Sequence, residues 1–266
     1  MLSLPCTAPL HPALRFGPEV PRVLRACPET RARSTTRRPG SGRLGRHPVD
    51  RRSSARSPAT RRGSVVMAAA AAPASTGEAL IVIDMQNDFC LPDAILRVNG
   101  AMDCLPQVVA AVEEARRRGT PVFWVIREHE PSGIDVERTR THLFPPHGPG
   151  ATVKGTPGAA LVSPLAVADG ELVVVKKRFS AFFQTPLDVM LRRLGTRRVV
   201  LCGVQTPNCI RSAAFDAVSL DYEQVTVLHD ATASKSDEVQ KANLEDMAAI
   251  GVEIVAVSDW SAEKKK

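Results

Sequence analysis

Aromatic residues are scarce in this sequence, with eight Phe, two Trp and a single Tyr in 266 residues. Long apolar runs are missing as well: none approaches the roughly eighteen residues of a membrane-spanning helix, so the chain reads as soluble. The six cysteines, Cys6, Cys27, Cys90, Cys104, Cys202 and Cys209, include no Cys-x-x-Cys pair. Such spacing supports neither a disulfide framework nor a zinc site, and it fits a reducing compartment. Residues 1–66 contain no lysine and only three acidic residues against fourteen arginines, a formal charge of +11. The whole chain carries +7, so residues 67–266 carry −4. A nucleic-acid-binding domain needs its positive charge on a folded surface, and the part of this chain able to build a core is mildly acidic.

Residues 1–66 also hold nine of the twenty-one prolines and one aromatic residue, Phe16. An Arg- and Ser-rich, acid-poor start without an apolar core reads as a transit peptide for a chloroplast or other organelle. The alternative is a start extended too far upstream, with translation from Met67 and a cytoplasmic protein. On either reading the segment lacks the apolar residues to offset chain entropy and is expected to be disordered. Residues 67–78 then serve as a linker, 79–260 as one folded domain and 261–266 as a charged tail.

From Ala79 onward, short apolar runs alternate with amphipathic stretches. The runs are Ala79–Asp84, Pro121–Arg127, Glu171–Lys176, Arg198–Gly203, Val225–His229 and Val252–Val257. Their near-continuous apolar character is that of strands buried on both faces of a parallel sheet. Leu105, Val108, Val109 and Val112 follow a helical period that Gly119 stops. Thr185 with Pro186 opens a second helix, closed by Gly195, and Ser236 with Asp237 and Glu238 opens another, ended by Gly251. The pattern predicts a three-layer α/β/α fold around a six-stranded, mostly parallel, Rossmann-like sheet. The Pro- and Gly-rich stretch Glu128–Gly170 reads as a loop over the site.

Ligands of open parallel sheets bind beyond the carboxyl ends of the strands. Three residues with useful chemistry fall there: Asp84 ends the first strand, Lys176 ends the third, and Cys209 follows the fourth after Pro207 and Asn208. Each alone has an ordinary explanation as a turn cap, a solvated charge or a small buried hydrophobe. Together they form a nucleophile, a base and a cation that supports the ion pair. A thiol in the first turn of a helix is expected to lean toward the thiolate.

The segments Ile81–Phe89 (IVIDMQNDF), Lys176–Asp188 (KKRFSAFFQTPLD) and Gly203–Ile210 (GVQTPNCI) resemble the isochorismatase-like cysteine hydrolases, which include nicotinamidases and ureidoacrylate amidohydrolases. The resemblance runs from about Ala79 to Val257. It implies a catalytic triad of Asp84, Lys176 and Cys209, with Lys176 preferred over Lys177 because it lies six residues before Phe182. It also implies a cis peptide between Val204 and Gln205 and an oxyanion hole made by the N–H groups of Gln205 and Cys209. The implied chemistry is amide hydrolysis through a thioester, with Lys176 lowering the thiol's pKa, on a small amide or ureido acid, in a homo-oligomer.

Metal-dependent nicotinamidases carry an Asp-x-His pair after the second strand. Here that place reads Arg127-Glu128-His129, with a cation where the carboxylate belongs, so no metal and no cofactor is expected. His142 and His147 are expected at the surface. Arg127 offers a planar fork for a substrate carboxylate, or else a loop salt bridge with Glu128 or Glu130. Phe89, His129, Phe182 and Phe183 are further candidates for the pocket, and Trp124 for the pocket or the core. A nicotinamidase of relaxed metal use and a catalytically silent binding or scaffold relative are the competing readings. No nucleic acid or membrane partner is expected.

Overall fold

Strand β1 (Glu78–Ile83) is buried along its whole length. Both of its faces are covered: Leu80 and Val82 enter one core cluster, while Ala79, Ile81 and Ile83 enter another on the opposite side. Alternation of side chains across a strand produces that division, and coverage on both faces is why the run shows no polar positions.

The computed structural model describes residues 77–262. The expectations placed on residues 1–66, on the linker up to residue 76 and on the tail beyond residue 262 lie outside the described residues. After β1 come α1 (Asn87–Cys90), α2 (Ala101–Arg118), β2 (Val122–Arg127), β3 (Leu172–Lys176), α3 (Leu187–Arg193), β4 (Arg198–Val204), α4 (Arg211–Ser219), β5 (Gln224–Ala233), α5 (Asp237–Ala249), β6 (Glu253–Val255) and α6 (Val257–Ala262). The strand order is β3-β2-β1-β4-β5-β6, and every neighbouring pair is parallel. All six predicted strands form, and the sheet is parallel throughout rather than mostly so. Helices α2 and α6 contribute to the core cluster on one face, and α3, α4 and α5 to the cluster on the other, which gives three layers.

Local signals place the helix ends. Gly119 takes the left-handed conformation that closes α2, at φ 68°. The Ser236 hydroxyl caps α5 by accepting from the Val239 N–H. Two boundaries differ from expectation. Pro186 precedes α3 rather than sitting inside it, and the Thr185 hydroxyl accepts from the Leu187 N–H at 3.3 Å. The last strand stops at Val255, and Val257 starts α6, burying itself and Trp260 against α2.

Chain order fixes where a site can form. The chain leaves β1 toward β2 and β3 on one side, then crosses back to β4 on the other, so the crevice opens at the carboxyl ends of β1 and its neighbours. Gly203 is obligatory at this point. It has φ 105°, and any Cβ there would run into the Ile83 backbone.

The stretch 128–170 is irregular but anchored. It contains two short 3-10 turns, Arg138–Leu143 and Pro157–Ala159. Val136, Phe144 and Val153 give it a small core of its own. Single bridges tie His129 to Val153 and Gln86 to Leu161. Among the described residues, no helix is long and apolar enough to cross a membrane.

Candidate active site at the strand tips

The chain leaves β1 at Asp84 with φ 53°, a left-handed conformation that Asp tolerates better than most residues. Lys176 ends β3, two strands away, and its register partner on the intervening β2 is Arg127. Two strand spacings are roughly 9–10 Å, a gap that a long lysine stem and a carboxylate can close between them. The ammonium of Lys176 donates to Asp84 Oδ2 at 2.7 Å and lies 3.4 Å from Cys209 Sγ. A third bond, at 3.2 Å, goes to the Arg178 carbonyl. Asp84 and Lys176 have no exposed surface, and Cys209 is 4% exposed.

The structure therefore brings Asp84, Lys176 and Cys209 together. It also separates the adjacent lysines: Lys177 points the other way, to Asp135 at 2.8 Å and to the Glu128 carbonyl. The Val204–Gln205 peptide is cis.

Cys209 does not sit in the first turn of an α-helix. It belongs to a π-helical turn, Thr206–Ile210, that precedes α4, and the Gln205 carbonyl accepts from the N–H groups of both Asn208 and Ile210. The surroundings of the thiol oppose the expected lean toward the thiolate. Burial pushes the Cys209 thiol up to about 11, and the Asp84 carboxylate adds to the push against the opposing pull of Lys176 and Arg127. Loss of solvation outweighs the nearby cations and favours the protonated thiol. Among the described residues, the second oxygen of Asp84, Oδ1, has no hydrogen-bond partner.

Arg127 is not at an open mouth. It is 1% exposed, and its salt bridge runs to Glu137 at 2.9 Å rather than to Glu128 or Glu130. Gln86 locks its backbone by accepting from the Arg127 N–H and donating to its carbonyl, both at 2.8 Å. Burial alone would lower the Arg127 guanidinium, but the carboxylates of Asp84 and Glu137 hold it above its ordinary value. Among the described residues its Nε and Nη2 have no partner. Glu137, Gln86 and the neighbouring Arg140 escaped the sequence reading. Only the charged run Glu137-Arg138-Thr139-Arg140, inside an otherwise Pro- and Gly-rich stretch, hinted at the first and last.

His129 is buried, packs edge-on against Phe144 and places Nδ1 3.2 Å from Asp135. Burial, helped by Arg127, lowers its pKa against the opposing charges of Asp135 and Glu137. Among the described residues, no three His, Cys, Asp or Glu side chains are gathered as a metal site. With a guanidinium beside His129 and its Nδ1 committed to Asp135, the donor set does not fit a metal. His142 and His147 are exposed. Phe182 shares a core cluster with Cys209, whereas Phe89 and Trp124 pack in the cluster on the opposite face. Phe183 is half exposed.

The chain is similar to several known proteins. The chain is 48% identical over 186 residues to an Arabidopsis thaliana protein named as a probable inactive nicotinamidase, covering 70% of this chain and 95% of that protein. It is 30% identical over 206 residues to the ureidoacrylate amidohydrolase RutB of Methylobacterium radiotolerans, covering 70% and 80%. The crystal structure of an isochorismatase family protein from Desulfovibrio vulgaris superposes with a TM-score of 0.69 at 43% identity, covering 71% of this chain and 99% of that one. Residues 78–259 match the isochorismatase domain model, and the chain belongs to that family.

Proposed function

We propose that this protein is a metal-independent cysteine amidohydrolase acting on a C–N bond of a small amide or ureido acid. The observation that carries the reading is the convergence of Asp84, Lys176 and Cys209 within one buried ion-pair network. Asp84 accepts the Cys209 proton as Sγ forms a bond to the substrate carbonyl carbon, which removes the need for a standing thiolate. The N–H groups of Gln205 and Cys209 stabilise the oxyanion, a contribution of about 3–4 kcal/mol for a well-placed donor. Collapse of the tetrahedral adduct expels ammonia or an amine, which takes the proton from Asp84. The acyl group remains on sulfur as a thioester, or as a thiocarbamate where the carbonyl is that of a ureido group. Water, deprotonated by Asp84, then attacks this carbonyl, and the thiol is reprotonated as the acid or carbamate leaves. Lys176, bonded to Asp84 Oδ2, holds the carboxylate in place as the base.

A nicotinamidase is disfavoured because the donors around His129 do not suit a metal, while the RutB similarity favours a ureido acid. The second reading is a catalytically silent relative, supported by the name of the Arabidopsis protein. Ammonia release from a panel of amides and ureido acids separates them. Turnover by the wild type, none by Cys209→Ala, and an adduct on Cys209 in the intact mass are the expected results. Equal rates for both proteins, or no turnover of any compound, would overturn the enzyme.

A further inference from the structure

Beside the triad lies a small cavity lined by Arg127, His129, Arg140, Val136, Phe144 and Thr152, among others, with about 10 Å³ of space for water. That is room for a single polar group rather than for a whole substrate. Arg127 and Arg140 both lie over the Phe179 ring, at 5.3 and 4.8 Å from its centroid. Arg140 comes from the first 3-10 turn of the 128–170 stretch. Among the described residues its side chain makes no hydrogen bond or ion pair beyond that ring contact.

The charges around this cavity do not balance. Of the nearby carboxylates, Asp84 is paired with Lys176, and Asp135 is shared by Lys177, the His129 ring and the Glu130 N–H. Glu137 bonds Arg127 through Nη1 only, leaving Nε and Nη2 buried and unpaired. The His129 ring turns Nδ1 toward Asp135, and among the described residues its buried Nε2 has no hydrogen-bond partner. Among the described residues Glu137 is thus the one carboxylate bonded directly to either guanidinium, with Asp84 acting on both only through its charge. Their proximity and burial hold Arg140 below its ordinary pKa. Buried donors without partners are costly and rare in folded proteins, and they mark places where a ligand completes the structure.

We propose that Arg127 and Arg140 form a receptor for a carboxylate on the substrate, with Arg140 the specificity-determining residue that the 128–170 stretch adds to the strand-tip site. The inference rests on the amidohydrolase reading and narrows it: acids bearing an amide or ureido group are accepted, and neutral amides are not. A carboxylate oxygen in the cavity takes the free Arg127 donors, and Arg140 neutralises the remaining charge.

The test uses the Cys209→Ala protein, which cannot process a ligand, titrated calorimetrically with 3-ureidopropionate and with its neutral counterpart 3-ureidopropionamide. The acid is expected to bind about tenfold or more tightly than the amide. Adding Arg140→Gln removes that preference while leaving affinity for the amide unchanged, and Arg140→Lys, which keeps the charge without the fork, restores part of it. Equal affinities in the Cys209→Ala protein, an acid preference that survives Arg140→Gln, or no binding of either compound overturns the receptor. Should Arg140→Gln melt below its parent, Arg140→Lys decides: a reduced acid preference supports the receptor and an unchanged one overturns it. Failure of the chemistry looks different, with no ammonia released by the wild type while the acid preference persists.

Discussion

Two buried cations occupy neighbouring parts of this molecule on opposite terms. At the strand tips, Lys176 spends all three of its protons on Asp84, Cys209 and the Arg178 carbonyl. At the junction with the 128–170 stretch, Arg127 is as deeply buried but pairs with protein through Nη1 alone. In the first arrangement the lysine's donors are all taken without a ligand, as suits a group that holds a base in place. The second is incomplete, as suits a group that binds. Regular parallel strands build one, and irregular chain builds the other.

The comparison breaks first at the thiol. Cys209→Ala is expected to lower ammonia release by on the order of 10⁴-fold or more. A small side chain replaces a small one at that position, so unfolding free energy should change by no more than about 1–2 kcal/mol. Activity loss matched by a large fall in stability would move Cys209 from the chemistry to the core.

Removing each cation tests the contrast directly. Lys176→Met leaves the fully buried Asp84 carboxylate uncompensated, and urea unfolding should show a loss of about 3–5 kcal/mol. Asp84→Asn added to it should recover part of that loss, because no buried charge then remains. Arg127→Met leaves only Glu137, which is partly exposed, so its cost should be distinctly smaller. Equal costs would mean that Arg127 is as much a structural partner as Lys176.

Alkaline pH distinguishes the site thiol from the core thiols. Burial pushes Cys209 up to about 11 and Cys90 and Cys104 up to about 12, with Cys202 displaced further in the same direction. Unfolded, these thiols ionise near the ordinary value of 9.0. Their contribution to stability is therefore complete below that pH and is lost as pH rises through the folded values. The loss amounts to about 1.4 kcal/mol per pH unit for each thiol. Denaturant midpoints should be flat for these groups from pH 7 to 8 and fall from pH 9 upward, less steeply in Cys202→Ala. Iodoacetamide at pH 7.5 should alkylate Cys209 more slowly than a free thiol. Fast reaction would restore the resting thiolate that the sequence suggested.

What could be seen in the sequence follows the same division. The inner strands were legible because two-sided burial leaves a continuous apolar run, and the edge strand β3 carries such a run although Val173 and Val175 are exposed. Asp84, Lys176 and Cys209 were legible because each terminates or follows such a run. The state of Cys209 was not, since the helix position argued for ionisation and only the folded surroundings show how completely water is excluded. Nor was the Arg127 partner, because Glu137 lies ten residues away along a stretch with no periodicity to place it. Arg140 and Gln86 were hidden for the same reason: one stands on a turn held by a local core around Phe144, the other by bonds to Arg127 and the Ala159 carbonyl.

The smallest expected effect sharpens the contrast most, because it compares neighbours of the same residue type. Lys176 and Lys177 are adjacent, yet the end of β3 turns one into the core and the other toward Asp135, with 39% of its side chain exposed. An exposed ion pair gains little from Coulomb attraction in water and costs side-chain entropy to hold. Lys177→Met should therefore change unfolding free energy by less than about 1 kcal/mol, and thermal melts read beside Lys176→Met will show the gap. A Lys177→Met loss as large as that of Lys176→Met would mean that the clasp of Lys177 on Asp135 and Glu128 holds the 128–170 stretch in place. The irregular region would then carry structural weight comparable to the strand tips, and the unpaired donors of Arg127 would need that clasp to stay where they are.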